Sequence, residues 1–258
     1  MNNTTVADLL GQHLTNEVQT TGQATQSDKA WTRNYHPIRN LYVHTQVNHR
    51  DDGLVYANFE RALLPWDADD TMRTAEPAIP ANHRIWRLES EADCELWFHS
   101  EVSNIVLAAW SQFPVVTQSS HIKPPRDDQR ISEEVDAVYS IKTRTVSRAV
   151  LAIGEMKRNR VDPDRWQSGD ISSLPGQVKL SQELRGYAGK YQCPQVFCFD
   201  GETLLLLQFQ ANSAPDILQE NCPVDCWVLP REPVGTPLRP ALYMLLLQVS
   251  DGSKPCML

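Results

Sequence analysis

Long apolar runs are absent from this 258-residue sequence. A membrane-spanning helix needs roughly 18 or more consecutive apolar residues, and the longest apolar stretches here are LVY, TLLLLQF and ALYMLLLQV. The opening residues, MNNTTVADLLGQHLTNEV, lack the basic start and apolar centre of a secretory signal peptide. We therefore expect an intracellular protein, cytoplasmic or nuclear, that is not secreted and has no membrane partner.

Cysteine pairs with metal-ligand spacing are also scarce. The six cysteines, at positions 94, 193, 198, 222, 226 and 256, are scattered along the chain, which favours reduced thiols in an intracellular protein. Cys222 and Cys226 have no second cysteine pair or nearby histidine to complete a tetrahedral zinc site. We expect no zinc, and we expect Cys193 and Cys198 to behave as small apolar residues beside a core strand.

Positive charge is in deficit, since 24 Lys and Arg residues face 32 Asp and Glu residues for a net charge of −8. Phosphate contacts supply most non-specific affinity for nucleic acid, so this balance argues against a protein that coats DNA or RNA. The stretch 139–161 reverses the trend, with one acid, Glu155, against Lys142, Arg144, Arg148, Lys157, Arg158 and Arg160. Either a basic rim surrounds a phosphodiesterase site there, or these cations only flank an exposed turn and a strand end.

Apolar residues make up 41% of the sequence and the chain contains seven tryptophans, so it can bury a full core. No internal repeat and no glycine-rich phosphate-binding motif occurs. We divide the chain into a flexible N-terminal tail (1–30), an N-terminal cap (31–89), a folded core (90–212) and a C-terminal extension packed on the core (213–258). The tail is rich in Thr, Gln and Asn, and its one expected element is a short helix within residues 6–14.

The segment that contains the candidate site is a predicted hairpin. Residues 134–142 and 149–157 are rich in Val, Ile, Ala and Tyr, which favours strands, and the link TRTVS suits an antiparallel connection. If the hairpin centres near Thr145, Asp136 falls roughly opposite Glu155, and directly opposed side chains are about 5 Å apart.

Lys157 lies on the same face of its strand as Glu155, because side chains alternate along a strand. Two opposed carboxylates, Asp136 and Glu155, repel each other unless a cation lies between them. Hard oxygen ligands of this kind suit Mg²⁺ or Mn²⁺. The hairpin therefore predicts a divalent-metal site with a lysine beside it.

The predicted elements around the hairpin follow the order α-β-β-β-α-β-β. Apolar residues recur at helical spacing in the stretch 90–112, at Leu96, Val102, Ile105, Val106, Ala109 and Trp110. The strand PVVTQSS follows, and after the hairpin QVKLSQELRGYAGKYQ (177–192) predicts a second helix. QVFCFD and TLLLLQFQ predict two apolar strands joined by a turn at Asp200-Gly201. This order predicts an α/β fold with a central mixed sheet flanked by helices.

This arrangement resembles the PD-(D/E)XK superfamily, the restriction-endonuclease-like nucleases, in which an acidic residue on one strand precedes Asp/Glu-x-Lys on the next. Asp136 matches the first position and Glu155-Met156-Lys157 matches the second, with Val135 standing where the motif's proline would be. The likeness covers roughly residues 85–212, and QELRGYA before a Cys-Pro strand and an Asp-Gly turn is similar to a fungal branch of these nuclease-like proteins. It implies a restriction-endonuclease-like core with N-terminal and C-terminal extensions.

The resemblance implies a role for each matching residue. Asp136 and Glu155 would hold Mg²⁺ or Mn²⁺ together with the backbone carbonyl of Met156, and Lys157 would orient or deprotonate the attacking water. The helix after the Glu-x-Lys strand commonly presents a polar residue to the site, and Gln182 is our candidate. The first helix often adds a glutamate to the metal site. Glu91, Glu95 and Glu101 are available, and we choose Glu101, with a surface salt bridge as the alternative.

Four basic residues beside the site are candidates for substrate binding: Arg158, Arg160, Lys179 and Arg185. Lys179 and Arg185 share a flank of the second helix with Gln182, at i, i+3 and i+6. The alternative for this flank is a solvated helix face. These features predict a metal-dependent phosphodiesterase that hydrolyses nucleic acid. A second hypothesis stays open, namely a nuclease-like fold without cleavage activity that serves as a binding or accessory module or acts on a small molecule.

Overall fold

The computed structural model of the protein describes residues 4–24, 29–60, 68–112, 115–124, 134–142 and 149–250. It is a mixed α/β fold in which helices cover both faces of a central mixed sheet. The strands of the described residues are β1 (Val18–Thr20), β2 (Leu41–Val43), β3 (Thr45–Asn48), β4 (Leu54–Ala57), β5 (Trp86–Leu88), β6 (Val116–Ser119), β7 (Ala137–Ile141), β8 (Ala149–Met156), β9 (Gln195–Phe199), β10 (Thr203–Phe209) and β11 (Val224–Pro230).

The helices of the described residues are α1 (Val6–Leu10), α2 (Ala68–Thr74), α3 (Glu91–Phe98), α4 (Asn104–Ala108), α5 (Pro163–Ser168), α6 (Pro175–Tyr191), α7 (Ala214–Ile217) and α8 (Leu238–Ser250). A π-helical turn, His99–Ser103, links α3 to α4, and short 3₁₀ turns cover Ala30–Asn34 and Ile171–Ser173. Among the described residues, no helix is long and apolar enough to cross a membrane.

The central sheet has seven strands in the order β2-β11-β10-β9-β8-β7-β6. The pairs β8–β9 and β11–β2 are parallel and the remaining neighbours are antiparallel. Two smaller sheets flank it: β1 pairs with β5 in parallel, and β3 and β4 form an antiparallel hairpin. The mixed sheet follows from the chain order, because a helical crossover through α6 makes β9 run parallel to β8.

The predicted hairpin is confirmed as β7 and β8, which pair antiparallel with Ala137 opposite Gly154. One residue outward from that pair, the same register brings Asp136 beside Glu155. The register shifts between Tyr139 and Ser140, farther along the hairpin. The turn that we expected near Thr145 lies outside the described residues, as do Arg144 and Arg148.

The first predicted helix is present as one helical stretch from α3 through the π turn to α4. It begins at Ser90, whose hydroxyl accepts the N–H of Asp93 while the Asp93 carboxylate accepts the N–H of Ser90, a reciprocal capping box. The prediction was wrong for Leu96, which is exposed. The π turn changes the spacing of the buried positions, so Trp97 and Phe98 are buried before the turn, Val102 within it and Ile105 after it.

The second predicted helix is α6, which packs on the opposite face of the sheet from α3, α4 and α8. Pro175 occupies its first turn, where a missing N–H costs nothing, and Gln192 ends it in the left-handed conformation with φ of 52°. The predicted apolar stripe is buried, namely Leu180, Leu184, Tyr187, Ala188 and Tyr191.

Two apolar clusters form the core, one on each face of the sheet. Successive residues of β9 alternate between them: Phe197 and Phe199 belong to the cluster under α3, α4 and α8, and Val196 and Cys198 to the cluster under α6. Cys193 and Cys198 are buried in the second cluster, as the sequence predicted.

The ends of the chain differ from the predicted division. The described part of the expected N-terminal tail packs on the core, because α1 buries Val6, Leu9 and Leu10 there and β1 pairs with β5. The expected cap over 31–89 also supplies β2 to the edge of the central sheet. In the expected extension, 213–258, β11 is a strand of the sheet and ALYMLLLQV is part of α8. These segments are integral to the fold because each covers apolar surface that the core would otherwise expose.

Candidate functional site

The candidate site lies where the start of β7 meets the end of β8. Asp136 directly precedes β7, Glu155 is the second-last residue of β8, and Lys157 directly follows that strand. Antiparallel pairing places the start of β7 beside the end of β8, so all three predicted residues lie at the same end of the β7–β8 pair. Helix α6 covers this edge from one face of the sheet and α3 adjoins it from the other.

A buried ion cluster forms on the α6 side. Glu155 and Lys157 point to the same face, and the Lys157 ammonium donates to Glu155 Oε1 at 2.5 Å. The same ammonium lies 3.2 Å from Oε1 of Glu183, a residue of α6. Only 2% of the Lys157 side chain, 3% of Glu155 and 5% of Glu183 is exposed.

A second ammonium, that of Lys29, joins this cluster from the N-terminal part of the chain. Its Nζ lies 3.0 Å from Glu155 Oε1, 2.7 Å from Glu183 Oε1 and 2.8 Å from the Tyr187 hydroxyl. The Lys29 side chain is 27% exposed, so it forms the solvent-facing side of the cluster. Two carboxylates and two ammonium groups thus converge at the end of β8, and we call these four residues the Lys–Glu cluster.

The two carboxyl groups of the cluster titrate differently. Burial raises the pKa of Glu155 to about 8; the Lys157 ammonium opposes this rise, and the carboxylates of Asp136 and Glu183 add to it. Burial also acts on Glu183, but the ammonium groups of Lys157 and Lys29 outweigh it and hold the pKa of Glu183 below its usual range. Glu155 is therefore the carboxyl group that keeps a proton most readily.

Asp136 lies on the other side of Glu155, facing α3. Its Oδ2 accepts the backbone N–H of Met156 at 2.5 Å, and its Oδ1 lies 3.8 Å from Nδ1 of His121. Burial raises the pKa of Asp136, the Met156 N–H and the Lys157 ammonium oppose the rise, and Glu95 and Glu91 add to it. Asp136 is thus a half-buried carboxylate in negative surroundings.

Glu95 and His121 complete a group of candidate metal ligands with Asp136. His121 Nε2 lies 3.3 Å from Glu95 Oε2, and one potential ligand atom from each of the three residues falls within 4.8 Å of the others. Glu95 projects from α3, where its Oε1 also lies 3.2 Å from Nε2 of His99. Two carboxylates and an imidazole form a donor set that fits a divalent cation.

The Glu155 carboxylate has one oxygen whose hydrogen bonding is incomplete. Its Oε2 is buried and has no hydrogen-bond partner among the described residues, while its Oε1 accepts both ammonium groups. A buried carboxylate oxygen without a donor is costly unless a proton or a cation satisfies it. Glu155 Oε2 is therefore an oxygen that a proton or a cation would satisfy, while the group of candidate metal ligands that the structure brings together is Glu95, His121 and Asp136.

Met156 can reach the site only through its backbone. Its side chain is buried in the core cluster that contains Phe199, and its N–H bonds to Asp136. The role of its carbonyl as a metal ligand stays a prediction.

The structure does not bring Glu101 to the other predicted ligands. It lies in the π turn, where its Oε1 accepts the indole N–H of Trp86 and the amide of Asn16, both at 2.7 Å. Its backbone carbonyl accepts Nε of Arg239. Glu101 ties α3–α4 to the N-terminal segment and α8, and the helix glutamate nearest Asp136 is Glu95 instead.

The polar residue that α6 presents to the site is Glu183 and not Gln182. The Gln182 amide donates to the Tyr35 carbonyl at 2.9 Å and lies outside the Lys–Glu cluster. The sequence contained a signal for Glu183, because it stands three residues after Leu180 and four before Tyr187, within the apolar stripe. An acidic residue on a buried helix face needs a cationic partner, and that expectation points to the site.

The predicted substrate-binding cations are engaged within the fold. Arg158 donates to the Glu89 carbonyl and Arg160 to the Gly176 carbonyl. Arg185 contradicts the predicted solvent-facing flank, because its side chain is fully buried and donates to the Gln219 carbonyl at 2.6 Å. Lys179 is half-buried on α6.

Sequence reasoning missed two site residues altogether, His121 and Lys29. Lys29 contacts Glu155 across 126 positions of sequence, and nothing in the surrounding Thr-, Gln- and Asn-rich segment distinguishes it. The candidate site therefore combines β7, β8, α3, α6 and the N-terminal segment. Comparisons of the chain with protein-family models, with curated proteins and with solved structures found no match.

Proposed function

We propose that the protein is a divalent-metal-dependent phosphodiesterase that acts on nucleic acid and has a restriction-endonuclease-like core. The observation that carries this proposal is the meeting of Asp136, Glu155 and Lys157 at adjoining strand ends, in the register that the hairpin predicts. An acidic residue on one strand and Glu-x-Lys on its antiparallel neighbour are the parts that the resemblance requires.

The order of elements supports the proposed fold. From α3–α4 through β6, β7, β8, α6, β9 and β10, the chain follows the α-β-β-β-α-β-β order. Strands β6, β7 and β8 form an antiparallel unit, and α6 then connects β8 to the parallel strand β9. The candidate site lies where β7 and β8 meet α6.

Asp136 and Glu155 would hold the cation, with Glu95 and His121 as further ligands on the α3 side. A bound divalent cation supplies polarisation of the scissile phosphate and a lowered pKa of a water molecule. Because one of these ligands is an imidazole, we expect Mn²⁺ to bind more tightly than the harder Mg²⁺.

Lys157 would act as a cation and not as a base. Burial opposes its charge, but the carboxylates of Glu155 and Glu183 outweigh burial and raise its pKa above the usual lysine value. A lysine that stays protonated at neutral pH can donate hydrogen bonds to an anionic oxygen and offset the negative charge that develops there. This narrows the role implied by the resemblance, which allowed Lys157 to deprotonate the water.

The Lys–Glu cluster favours a second candidate function, a nuclease-like fold that binds a partner without cleaving it. Lys29 neutralises the site carboxylates from the solvent side, and Glu155 and Lys157 are almost fully buried. A buried cluster of ion pairs of this kind can serve structure alone. The acidic net charge of −8 points the same way, since it opposes binding to phosphates over a wide surface.

Cleavage assays separate the two candidates. Purified protein with Mn²⁺ or Mg²⁺ is incubated with single- and double-stranded DNA and RNA, beside Asp136→Ala, Lys157→Ala and the control Lys142→Ala. Lys142 is exposed at the far end of β7, so its loss leaves the site intact. We expect cleavage by wild type and Lys142→Ala and none by the two site variants. Absence of cleavage by wild type on every substrate, or equal cleavage by all four proteins, contradicts the proposed activity.

A further inference from the structure

We propose that Lys29 is a tethered competitor of the divalent cation, and that residues 29–38, which we call the strap, hold the site closed until a metal displaces this ammonium. The inference rests on the proposed function, because it assumes that Glu155 takes part in binding the metal. It adds a control element that belongs to the chain itself and that lies outside the matching motif.

The contacts of Lys29 pair its ammonium group with acceptors inside the protein. Its Nζ donates to Glu155 Oε1 at 3.0 Å and to the Tyr187 hydroxyl at 2.8 Å. It also lies 2.7 Å from Glu183 Oε1 in an ion pair. Lys29 therefore acts as an internal counter-ion for the two carboxylates.

The placement of Lys29 sets it against a metal. It lies 3.0 Å from a carboxylate oxygen of Glu155, so it reduces the negative charge that the same carboxylate offers to a divalent cation. A divalent cation bound to the same carboxylate would also lie close to the Lys29 ammonium, and the repulsion between these two positive charges is large in a buried environment. Because Lys157 is 2% exposed and Lys29 is 27% exposed, Lys29 is the cluster's cation with a path to solvent.

The strap is held on α6 by an aromatic anchor next to Lys29. Trp31 packs edge-to-face on Tyr187, with ring centroids 5.1 Å apart, and lies over Gly186. A Cβ at Gly186 would come within 2.5 Å of the Trp31 ring and 2.9 Å of the Tyr35 ring. Gly186 thus leaves a notch in α6 that admits both rings, and the notch positions Lys29 over the Lys–Glu cluster.

Polar contacts continue the attachment along α6. The Gln182 amide donates to the Tyr35 carbonyl at 2.9 Å, and the Ile38 N–H donates to the Ser181 hydroxyl at 3.3 Å. Only the tip of the strap, at Lys29, contacts the candidate metal ligand. A small hinge movement at that tip can therefore free Glu155 while Trp31 remains seated on α6.

Metal titration tests the inference. Mn²⁺ is titrated by calorimetry into wild type, Lys29→Met, Trp31→Ala and the matched control Lys142→Met, which removes the same charge from an exposed position. If the open form is a minor fraction of wild type, the apparent Kd is raised by the inverse of that fraction. We expect Lys29→Met to bind Mn²⁺ roughly tenfold or more tightly, Trp31→Ala to bind more tightly by a smaller factor, and Lys142→Met to match wild type.

Hydrogen exchange on wild type supplies a second measurement that needs no variant to fold. Mn²⁺ should increase exchange at the tip of the strap, at the Thr32 amide that donates to the Lys29 carbonyl, and leave β9 and β10 unchanged. Two outcomes overturn the inference and leave the proposed metal site in place. In the first, wild type binds Mn²⁺ and Lys29→Met binds it equally well or more weakly. In the second, wild type binds Mn²⁺ and exchange in the strap does not change. If neither wild type nor Lys29→Met binds Mn²⁺, both the proposed metal dependence and the proposed competition by Lys29 are wrong.

Discussion

Glu155 of β8 and Glu183 of α6 share the same two ammonium groups, since Lys157 and Lys29 each lie within 3.2 Å of both carboxylates. A strand and the helix that covers it are thus joined by a buried set of charges. The shared ammonium groups couple the two carboxylates, because a change in the charge of Glu155 alters the electrostatic environment of Glu183 and the reverse.

Replacement of Glu183 by glutamine should destabilise the metal-free protein. The change leaves two ammonium groups on one buried carboxylate, and loss of one partner from a buried pair costs about 3–5 kcal/mol. Lys29 can turn partly toward water, so we expect a loss of roughly 2–3 kcal/mol in urea melts. The control Gln182→Ala removes one hydrogen bond to a backbone carbonyl and should cost about 1 kcal/mol. Equal losses in both variants would show that the cluster contributes no special stability.

Replacement of Asp136 by asparagine should leave the metal-free protein as stable as wild type or slightly more so, and should abolish Mn²⁺ binding. The pKa of Asp136 is raised in the folded protein, so the fold disfavours the charged carboxylate. The stability that the protonated carboxyl group contributes is present below the pKa of Asp136 in the unfolded chain, and it is lost as pH rises through the pKa in the folded protein. Asparagine keeps an oxygen for the Met156 N–H. A loss beyond about 2 kcal/mol in urea melts would indicate a structural ion pair.

Mn²⁺ affinity should rise with pH up to about 8. Glu155 has a pKa raised to about 8, so at neutral pH it holds a proton that a cation must displace. Titration at pH 7 in buffers of different ionisation enthalpy should reveal proton release on binding, and the release should vanish above pH 9. Without metal, the raised pKa has the opposite consequence, because the stability from Glu155 is complete below its unfolded pKa and declines as pH rises through about 8. Affinity that is constant from pH 6 to 9 would place the metal away from Glu155.

Replacement of Gly186 by alanine should loosen the strap. The new methyl group would overlap the rings of Trp31 and Tyr35, and overpacking of this kind costs typically 1–3 kcal/mol. The control is Gly176→Ala on the same helix, where the nearest atom to an added Cβ is 3.7 Å away on Arg160. There the higher helix propensity of alanine should stabilise the protein by up to about 1 kcal/mol. Both changes are measured by urea melts, and a destabilised control would invalidate the comparison.

The hairpin register was predictable because it depends on local information. Val, Ile and Ala at alternate positions on both strands, together with a short polar link, place Asp136 next to Glu155 without knowledge of the rest of the chain. The crossover helix and the strands around Asp200-Gly201 were predictable for the same reason, since apolar periodicity and turn residues define each of them.

Contacts between distant segments were not predictable from these patterns. Glu101 lies in the π turn and bonds to Trp86 and Asn16, and helical spacing alone gives no warning of such an insertion. Lys29 lies in a polar segment that composition assigns to a tail, and its placement depends on a notch at Gly186, far along the chain. Arg185 was expected to bind substrate from a flank of the helix shared with Lys179 and Gln182, but its side chain is buried and donates to the Gln219 carbonyl.

The parallel pairing of β2 with β11 has a consequence for how the chain folds. Leu41 pairs with Val224, so an edge of the sheet forms from segments near opposite ends of the sequence. Closing so large a loop is entropically costly, and folds rich in such distant pairings reach the native state slowly. A ribosome that has released only about the first 220 residues holds a chain whose β10 edge is still bare, since β11 has yet to emerge. We therefore expect the central sheet to complete only after β11 has emerged, with the β10 edge as the surface that a chaperone would cover meanwhile.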